Sequence, residues 1–455
     1  MNRRDFLKAG AASVAAAPMI MSGRALGMTQ PGPNDRVRIG LIGLGGRCNG
    51  VARDTLRLDD VDIVAACDCF QPRVDAAMSA LGDEHGWTPY LDYREMIEKE
   101  ELDGVMVITT THARASITCD AMIAGLDVYI EKPMSLTIAE GRHMVNVARK
   151  YDRVTQVGSQ QRSIPLNLWA SDLVKNGAIG RVHTVLAPNF MGPLHWDASQ
   201  EQPLPEDGNE GWWDIWTNQA EFRPYHQQIH RGWGHYWAYD GGGQSFGVTG
   251  WGTHSYDQIN RGLGTDYTGP VEVILDEPLE HRPNGKFEER EFGPDETGAR
   301  YYRMVWGTSG DRAAVRMRYA NGTELQLTED ADNAPGLGCI FIGDEGRIEI
   351  NRDAISSDRP ELINTDDRPA HLDIPETEPH IRNWIDCMKT RERCTADAEI
   401  GHRGTTLCYL VNIARDVGRV GETLQWDPVE EQFLNCDEGN ALLSRARREG
   451  WELPS

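Results

Sequence analysis

A single histidine, His254, sits among glycines in GVTGWGTHSYDQINRG (247–262), with a tryptophan three residues before it and Asp257 three residues after. An imidazole there either moves a proton in a reaction or merely opens a helix. If it is a base, Asp257 stands one turn along the same helical face and is the group that would orient it. A second candidate is Lys132 in Glu131-Lys132-Pro133, at the carboxyl end of the apolar run LDVYIE (126–131). Ligands bind at that end of a parallel strand, where a lysine either lowers the barrier to taking a proton off a hydroxyl or is simply solvated. The third is the turn GLGGRC (43–48). Gly43 permits a tight turn, Gly45 lets the backbone approach a pyrophosphate on the following helix, Gly46 and Arg47 continue the turn, and Cys48 holds the position where a small residue packs helix on strand. Asp68, 23 residues after Gly45, ends the next apolar run. A carboxylate there holds a ribose 2′-hydroxyl and repels a 2′-phosphate, which points to NAD over NADP.

Aromatic residues crowd a loop-rich segment. Seven of the 13 tryptophans (196, 212, 213, 216, 233, 237 and 251) and five of the 13 histidines lie between 195 and 254. Flat rings stack on the apolar faces of sugars while polar side chains fix hydroxyls, so Arg223, Tyr225, His230, Tyr236 and Trp251 are candidate substrate contacts. The competing reading is that the rings pack the insert onto its own domain. Asp240, just ahead of three glycines, offers a further carboxylate. His402, in AEIGHRG, either reaches the site or caps the next helix.

The elements that must hold these groups alternate along the chain. Strands at 37–43, 61–68, 102–110 and 126–131 are separated by helices such as 93–100 and 138–151, the latter opened by a Thr137/Glu140 capping box. That order predicts a Rossmann-type α/β domain, with a parallel sheet, over 34–160. From 161 to 455 a C-terminal α/β domain follows, with a helix at 164–177, an aromatic-rich insert at 190–250 and an open, mostly antiparallel sheet. Asn321-Gly322 between alternating runs is its clearest hairpin signal. Helices at 378–391 and 403–418 are expected to pack back against that sheet.

Composition sets limits on partners. Lysine plus arginine total 46 against 70 acidic residues, a net charge of -24 that repels nucleic acid and anionic lipid. Nine cysteines with no CxxC pair argue against a disulfide framework and against a zinc site, so no metal is expected. Residues 1–30 read as a twin-arginine export signal, with Arg3-Arg4 ahead of a weakly apolar run shorter than the roughly 20 residues that span a bilayer. Export folded into a periplasm is the resulting expectation.

The blocks GLIGLGGR, VDIVAACD, GLDVYIEKPMSLTIAEGRHMVNVARKYDRVTQVGSQQR and GWGTHSYDQINRGLG together resemble the glucose-fructose oxidoreductase/inositol dehydrogenase (Gfo/Idh/MocA) family, especially its exported members. The resemblance implies a nicotinamide dinucleotide, a sugar or cyclitol substrate, and an open sheet that supports homo-oligomer contacts. Carried over by position, Gly43, Gly45 and Asp68 would bind cofactor, Thr109 and Thr110 flank it, Glu131 and Lys132 form the EKP pair, and His254 is the family's catalytic histidine. Two positions depart from the pattern: Gly250 stands where the family commonly has an aspartate, and Arg114 where a histidine is usual. A periplasm offers no useful pool of free NAD, so an exported member must regenerate a captive cofactor. Either a second sugar reoxidises it, or transient oxidation drives a redox-neutral elimination that makes the enzyme a glycosidase or lyase. A redox-dead sugar-binding protein is the third expectation, and it predicts a lost nucleotide site.

Overall fold

A computed structural model describes residues 36–196, 201–243, 247–282, 310–328 and 337–455. The expected export signal lies outside them. Six parallel strands make the first sheet: β1 (Val37–Ile42), β2 (Val61–Cys67), β3 (Thr88–Tyr90), β4 (Gly104–Val107), β5 (Asp127–Ile130) and β6 (Thr155–Val157), in the order β3-β2-β1-β4-β5-β6. The apolar runs of β1, β4 and β5 are buried on both faces, as strands covered by helices on both sides require. The covering helices include α1 (Gly46–Thr55), α2 (Thr111–Ile123) and α3 (Ile138–Lys150). At the start of α3 the Thr137 hydroxyl accepts from the Glu140 N–H at 3.2 Å, while the Glu140 carboxylate accepts from Leu136 N–H, one residue earlier than a capping box places it. The strand order reverses between β1 and β4, which opens a crevice at their carboxyl ends.

The second sheet has nine strands: β7 (Val182–Pro188), β8 (Glu272–Leu275), β11 (Val315–Arg318), β12 (Glu324–Thr328), β13 (Cys339–Gly343), β14 (Gly346–Ile350), β15 (Ile355–Ser357), β16 (Thr423–Asp427) and β17 (Gln432–Phe433). A separate short ribbon pairs β9 (Glu280–Arg282) with β10 (Gly310–Arg312). The large sheet runs β15-β14-β13-β7-β12-β11-β8-β16-β17 and is antiparallel except between β7 and β12. The Asn321-Gly322 turn joins β11 to β12 as expected, with Gly322 at φ +86° and Arg318 opposite Glu324. One face of this sheet is covered by α4 (Trp251–Leu263) and α6 (Ala398–Val417), whose apolar residues Ile259, Leu407, Leu410 and Val411 join the strands in one core.

Helix α5 (Thr377–Thr390) corrects the sequence expectation. Instead of returning to the antiparallel sheet, it seats Ile381, Trp384 and Ile385 in the core of the nucleotide domain, with Val37, Ile39 and Tyr129. Asp60, between α1 and β2, fixes it by accepting from Arg382 at 2.6 Å. Truncating a wholly buried tryptophan such as Trp384 to alanine costs about 3–5 kcal/mol, so this helix is integral to the first domain's stability.

Candidate active site

At the crevice the glycine turn is tied directly to β2. Gly43 N–H donates to Cys67 O at 2.8 Å, and the Asp68 carboxylate accepts from Leu44 N–H at 2.8 Å and from Phe70 N–H at 3.0 Å. Gly43 has φ +91°, and a Cβ there would stand 2.7 Å from Ile108 O, so only glycine fits where β1 passes β4. Gly45 is the N-cap of α1, and Gly46 opens onto free space. Cys48 is buried in the core beneath α1.

Gly43, Gly45, Gly46, Arg47 and Asp68 line a cleft of about 400 Å³, together with Arg73, Thr109, Thr110, Glu131 and Lys132. A dinucleotide fits this lining: open helix N–H groups for a pyrophosphate, a cradle that a Cβ at Gly43 would fill, and an Asp68 carboxylate with lone pairs beyond those its two backbone donors use. Burial raises the pKa of Asp68, against Arg73 and the two N–H donors.

Glu131 and Lys132 follow directly on β5. Glu131 is buried and pairs with exposed Arg47 at 2.7 Å, tying strand end to glycine turn, and its other oxygen accepts from Lys132 N–H at 2.9 Å. Burial pushes Glu131 toward the neutral form, but Arg47 and Lys132 outweigh it and hold its pKa below the usual value. Half-buried Lys132 donates from Nζ to Gly250 O at 2.9 Å. Its pKa is lowered, chiefly by burial, with Glu131 and Asp240 opposing. Arg114, buried one turn into α2, donates to the carbonyls of Thr109 and Pro133, so this departure from the family pattern locks the β4 end to the EKP loop.

Gly250 is the N-cap of α4, the helix that carries His254. His254 is buried, and its Nδ1 has no hydrogen-bond partner among the described residues. Burial, with Lys132 adding to it, drives its pKa well below 6.5, so the imidazole is neutral and able to accept a proton. Asp257 is held by another group: its Oδ2 accepts from buried Arg162 Nε at 2.7 Å, and Arg162 also grips Asp266 at 2.6 Å. The two residues share a helical face as spacing predicts, but the buried guanidinium, brought from 95 positions away, takes the carboxylate that was expected to orient His254.

The insert is mainly a core of its own. Trp212, Trp213, Trp216, Tyr225, Tyr236 and Tyr239 are buried against one another, and Tyr225 and His230 sit inside that stack instead of on the cleft wall. Tyr236 packs edge-on to Trp196. Arg223 is paired with Glu221 at 3.0 Å, and half-buried Trp251 packs at the head of α4 against the second-domain core. None of the five residues expected to contact substrate lines the cleft. The insert residues that do are Ile215, Trp216, Asn218, Trp233 and Gly243. His112, which sequence reasoning passed over, anchors this wall: its Nε2 bonds Trp216 O at 2.7 Å. His402 neither reaches the cleft nor caps a helix. It is buried within α6, with Nε2 2.7 Å from Glu431.

The parallel sheet, glycine turn and EKP strand end define a nucleotide-binding α/β protein with a second α/β domain. The chain belongs to the Gfo/Idh/MocA oxidoreductase family. The model described as "Oxidoreductase family, NAD-binding Rossmann fold" matches residues 37–159, and that described as "Oxidoreductase family, C-terminal alpha/beta domain" matches 172–289 and 307–453. The cofactor this fold holds is a nicotinamide dinucleotide. Among curated proteins, "Glycosyl hydrolase family 109 protein 1" of Shewanella sp. (strain MR-4) is 25% identical over 201 residues, 43% of each chain. "Myo-inositol 2-dehydrogenase" of Thermotoga maritima is 30% identical over 150 residues, 33% of this chain and 44% of that one. The matched stretch spans less than half the length of either relative. The aldose-aldose oxidoreductase of Caulobacter crescentus, solved with glycerol, shares the fold with a TM-score of 0.56 at 16% identity, over 86% of this chain and 99% of that one. Among the described residues no helix is long and apolar enough to cross a membrane.

Proposed function

We propose that this protein oxidises a hydroxyl of a sugar or sugar derivative, using a tightly held NAD. The observation that carries the reading is the hydrogen bond from Lys132 Nζ to Gly250 O, which sets a lysine of the nucleotide domain against the helix that bears His254. Lys132 works at the substrate oxygen, where a lysine of lowered pKa stabilises and moves the hydroxyl proton. Neutral His254, with Nδ1 unbonded, accepts that proton. Asp68 favours NAD because its carboxylate repels a 2′-phosphate. A nicotinamide, when bound, supplies hydride acceptance and return. Asp257 supports His254 only indirectly, by fixing α4 through Arg162. The twin-arginine leader supports export with the cofactor aboard, and the open antiparallel sheet supports a homo-oligomer.

Redox-neutral cleavage of a glycoside is the second reading. Two observations favour it: Gly250 leaves α4 without the family's usual acid, and the Shewanella relatives carry the name of a glycosyl hydrolase family. One experiment separates the two. Nicotinamide absorbance of the purified protein is followed, with no cofactor added, through a panel of free sugars and glycosides. A reduced signal that one sugar raises and a second discharges marks the oxidoreductase. Glycoside breakdown with no lasting signal marks the cleavage enzyme. Neither signal nor product with any member would sink both readings.

A further inference from the structure

The loop Asp240-Gly241-Gly242-Gly243 lies beside this site, and its aspartate takes no part in the chemistry described so far. Asp240 is completely buried. Its Oδ2 accepts from the Thr111 hydroxyl, on the first residue of α2 in the nucleotide domain, and its Oδ1 accepts from the Thr249 hydroxyl, immediately ahead of α4. One carboxylate therefore ties both domains. The residue after Thr249 is Gly250, the acceptor for Lys132, and the N–H groups of Thr249 and Gly250 both donate to Gly242 O, at 3.2 and 3.1 Å.

The three glycines follow from this arrangement. A Cβ on Gly241 would stand 2.6 Å from the Thr249 methyl and 2.9 Å from the Tyr409 ring. Gly242 has φ +93°, and a Cβ on Gly243 would stand 2.7 Å from the Asp240 carboxylate. Only a loop without side chains lies flush over a carboxylate here. Burying an anion is unfavourable, and two hydroxyls satisfy it less well than a guanidinium would. A threonine or asparagine would staple the domains without a charge, so the charge itself calls for a role.

We propose that Asp240 is a positioning residue for Lys132: it fixes the Gly250 carbonyl on which Lys132 Nζ rests and supplies the negative charge that α4 lacks at position 250. The proposal rests on reading Lys132 as the proton-moving group. The charged and titratable groups around Lys132 are Glu131, Asp240, Arg47 and Arg114, and Lys132 in turn lowers the pKa values of buried His254 and Cys408. Asp240 and Glu131 are the two carboxyl groups among them; burial raises the Asp240 pKa, while the Thr111 and Thr249 hydroxyls, Arg114 and Lys132 favour its charged form, and removing either carboxylate leaves the ammonium less favoured.

The test uses the full chain and needs no substrate. Lysines are reductively methylated with carbon-13 formaldehyde, Lys132 is assigned with Lys132→Arg, and its titration is followed by NMR alongside thermal midpoint and bound nucleotide. Asp240→Asn keeps shape and removes charge, with one of the two threonine hydroxyls turning to accept from the new amide N–H, and it should lower the pH at which Lys132 titrates by roughly 0.5–1 unit. A folded Asp240→Asn protein whose Lys132 titrates as in the wild type overturns the proposal. Should that variant fail to fold, Thr249→Val carries the test: freeing the Gly250 segment should raise Lys132 reactivity toward acetic anhydride several-fold, and unchanged reactivity overturns the proposal. Nucleotide content is read separately. Absent nucleotide with the Lys132 shift intact would count against the functional reading alone, and bound nucleotide with Lys132 unmoved against the role of Asp240 alone.

Discussion

Lys132 and Gly250 are joined by a single hydrogen bond, Nζ to carbonyl oxygen, at 2.9 Å. The bond aligns a strand end of the nucleotide domain with the N-cap of the helix that carries His254, whose imidazole is buried behind the cleft lining and near enough to Lys132 for that ammonium to lower its pKa.

Replacing either group should separate chemistry from binding. Lys132→Met is expected to cut turnover by roughly 100-fold or more, and His254→Ala by a comparable factor. Both variants should keep their nucleotide, because the glycine turn and Asp68 are untouched. Single-turnover rates with nucleotide content measured on the same samples check this, and full activity in His254→Ala would reduce that residue to a helix-start histidine.

Asp68→Ala should do the reverse. Its carboxylate holds the turn through Leu44 N–H and Phe70 N–H and faces the cleft, so its loss should speed nucleotide release. It should also relax discrimination against a 2′-phosphate. Equilibrium dialysis with NAD and NADP measures both effects, and identical retention by wild type and variant would mean that Asp68 is only a brace for the turn.

Acid should destabilise the fold in a defined window. Burial pushes His112, His230 and His380 down to about 4, whereas an unfolded histidine titrates near 6.5. Between those values the unfolded chain binds the extra protons. Stability is therefore complete above about pH 6.5 and falls as pH drops toward 4. His380 accepts at Nδ1 from Ser163 and donates from Nε2 to Val157 O, so a His380→Gln variant should start less stable but show a shallower fall of thermal midpoint over that range.

Much of this was legible in the residues. The four long strands of the first sheet, the helix at 138–151 and the Asn-Gly hairpin all follow from periodicity and turn chemistry, because each is a local property. Strands β3 and β6 escaped notice because three residues carry no period. The apolar face of α5 says that the helix packs but not on what, and its partner is the domain that precedes it by more than 200 residues. The pairing of Asp257 with Arg162, the burial of Tyr225 and His230, and the wall role of His112 depend on contacts between segments far apart in sequence. Aromatic clustering identified a special segment; it did not say which rings face a ligand and which face each other.

The C-terminal residues brace the cleft from outside. Arg448 pairs with Asp214, donates from Nε to Asn218 O at 2.9 Å, and gives its N–H to Gln219 O at 3.1 Å, around the segment whose Ile215, Trp216 and Asn218 form one wall. Arg448→Ala should leave global stability nearly unchanged, since the ion pair is partly exposed, yet release nucleotide several-fold faster. Stopped-flow fluorescence of nucleotide release is the check, and an unaltered release rate would remove the tail from the account.

Net hydride transfer from a sugar to a dinucleotide that stays in this cleft, as proposed above, would leave the sugar's own hydrogen on the nicotinamide ring. The most direct measurement incubates purified protein with a panel of carbon-deuterated sugars and glycosides, releases the nucleotide by denaturation and weighs it by mass spectrometry. Wild-type protein should yield reduced nucleotide carrying one deuterium on its nicotinamide ring with at least one member, and Lys132→Met should yield none. Unlabelled nucleotide throughout, or protein that carries none, would contradict it.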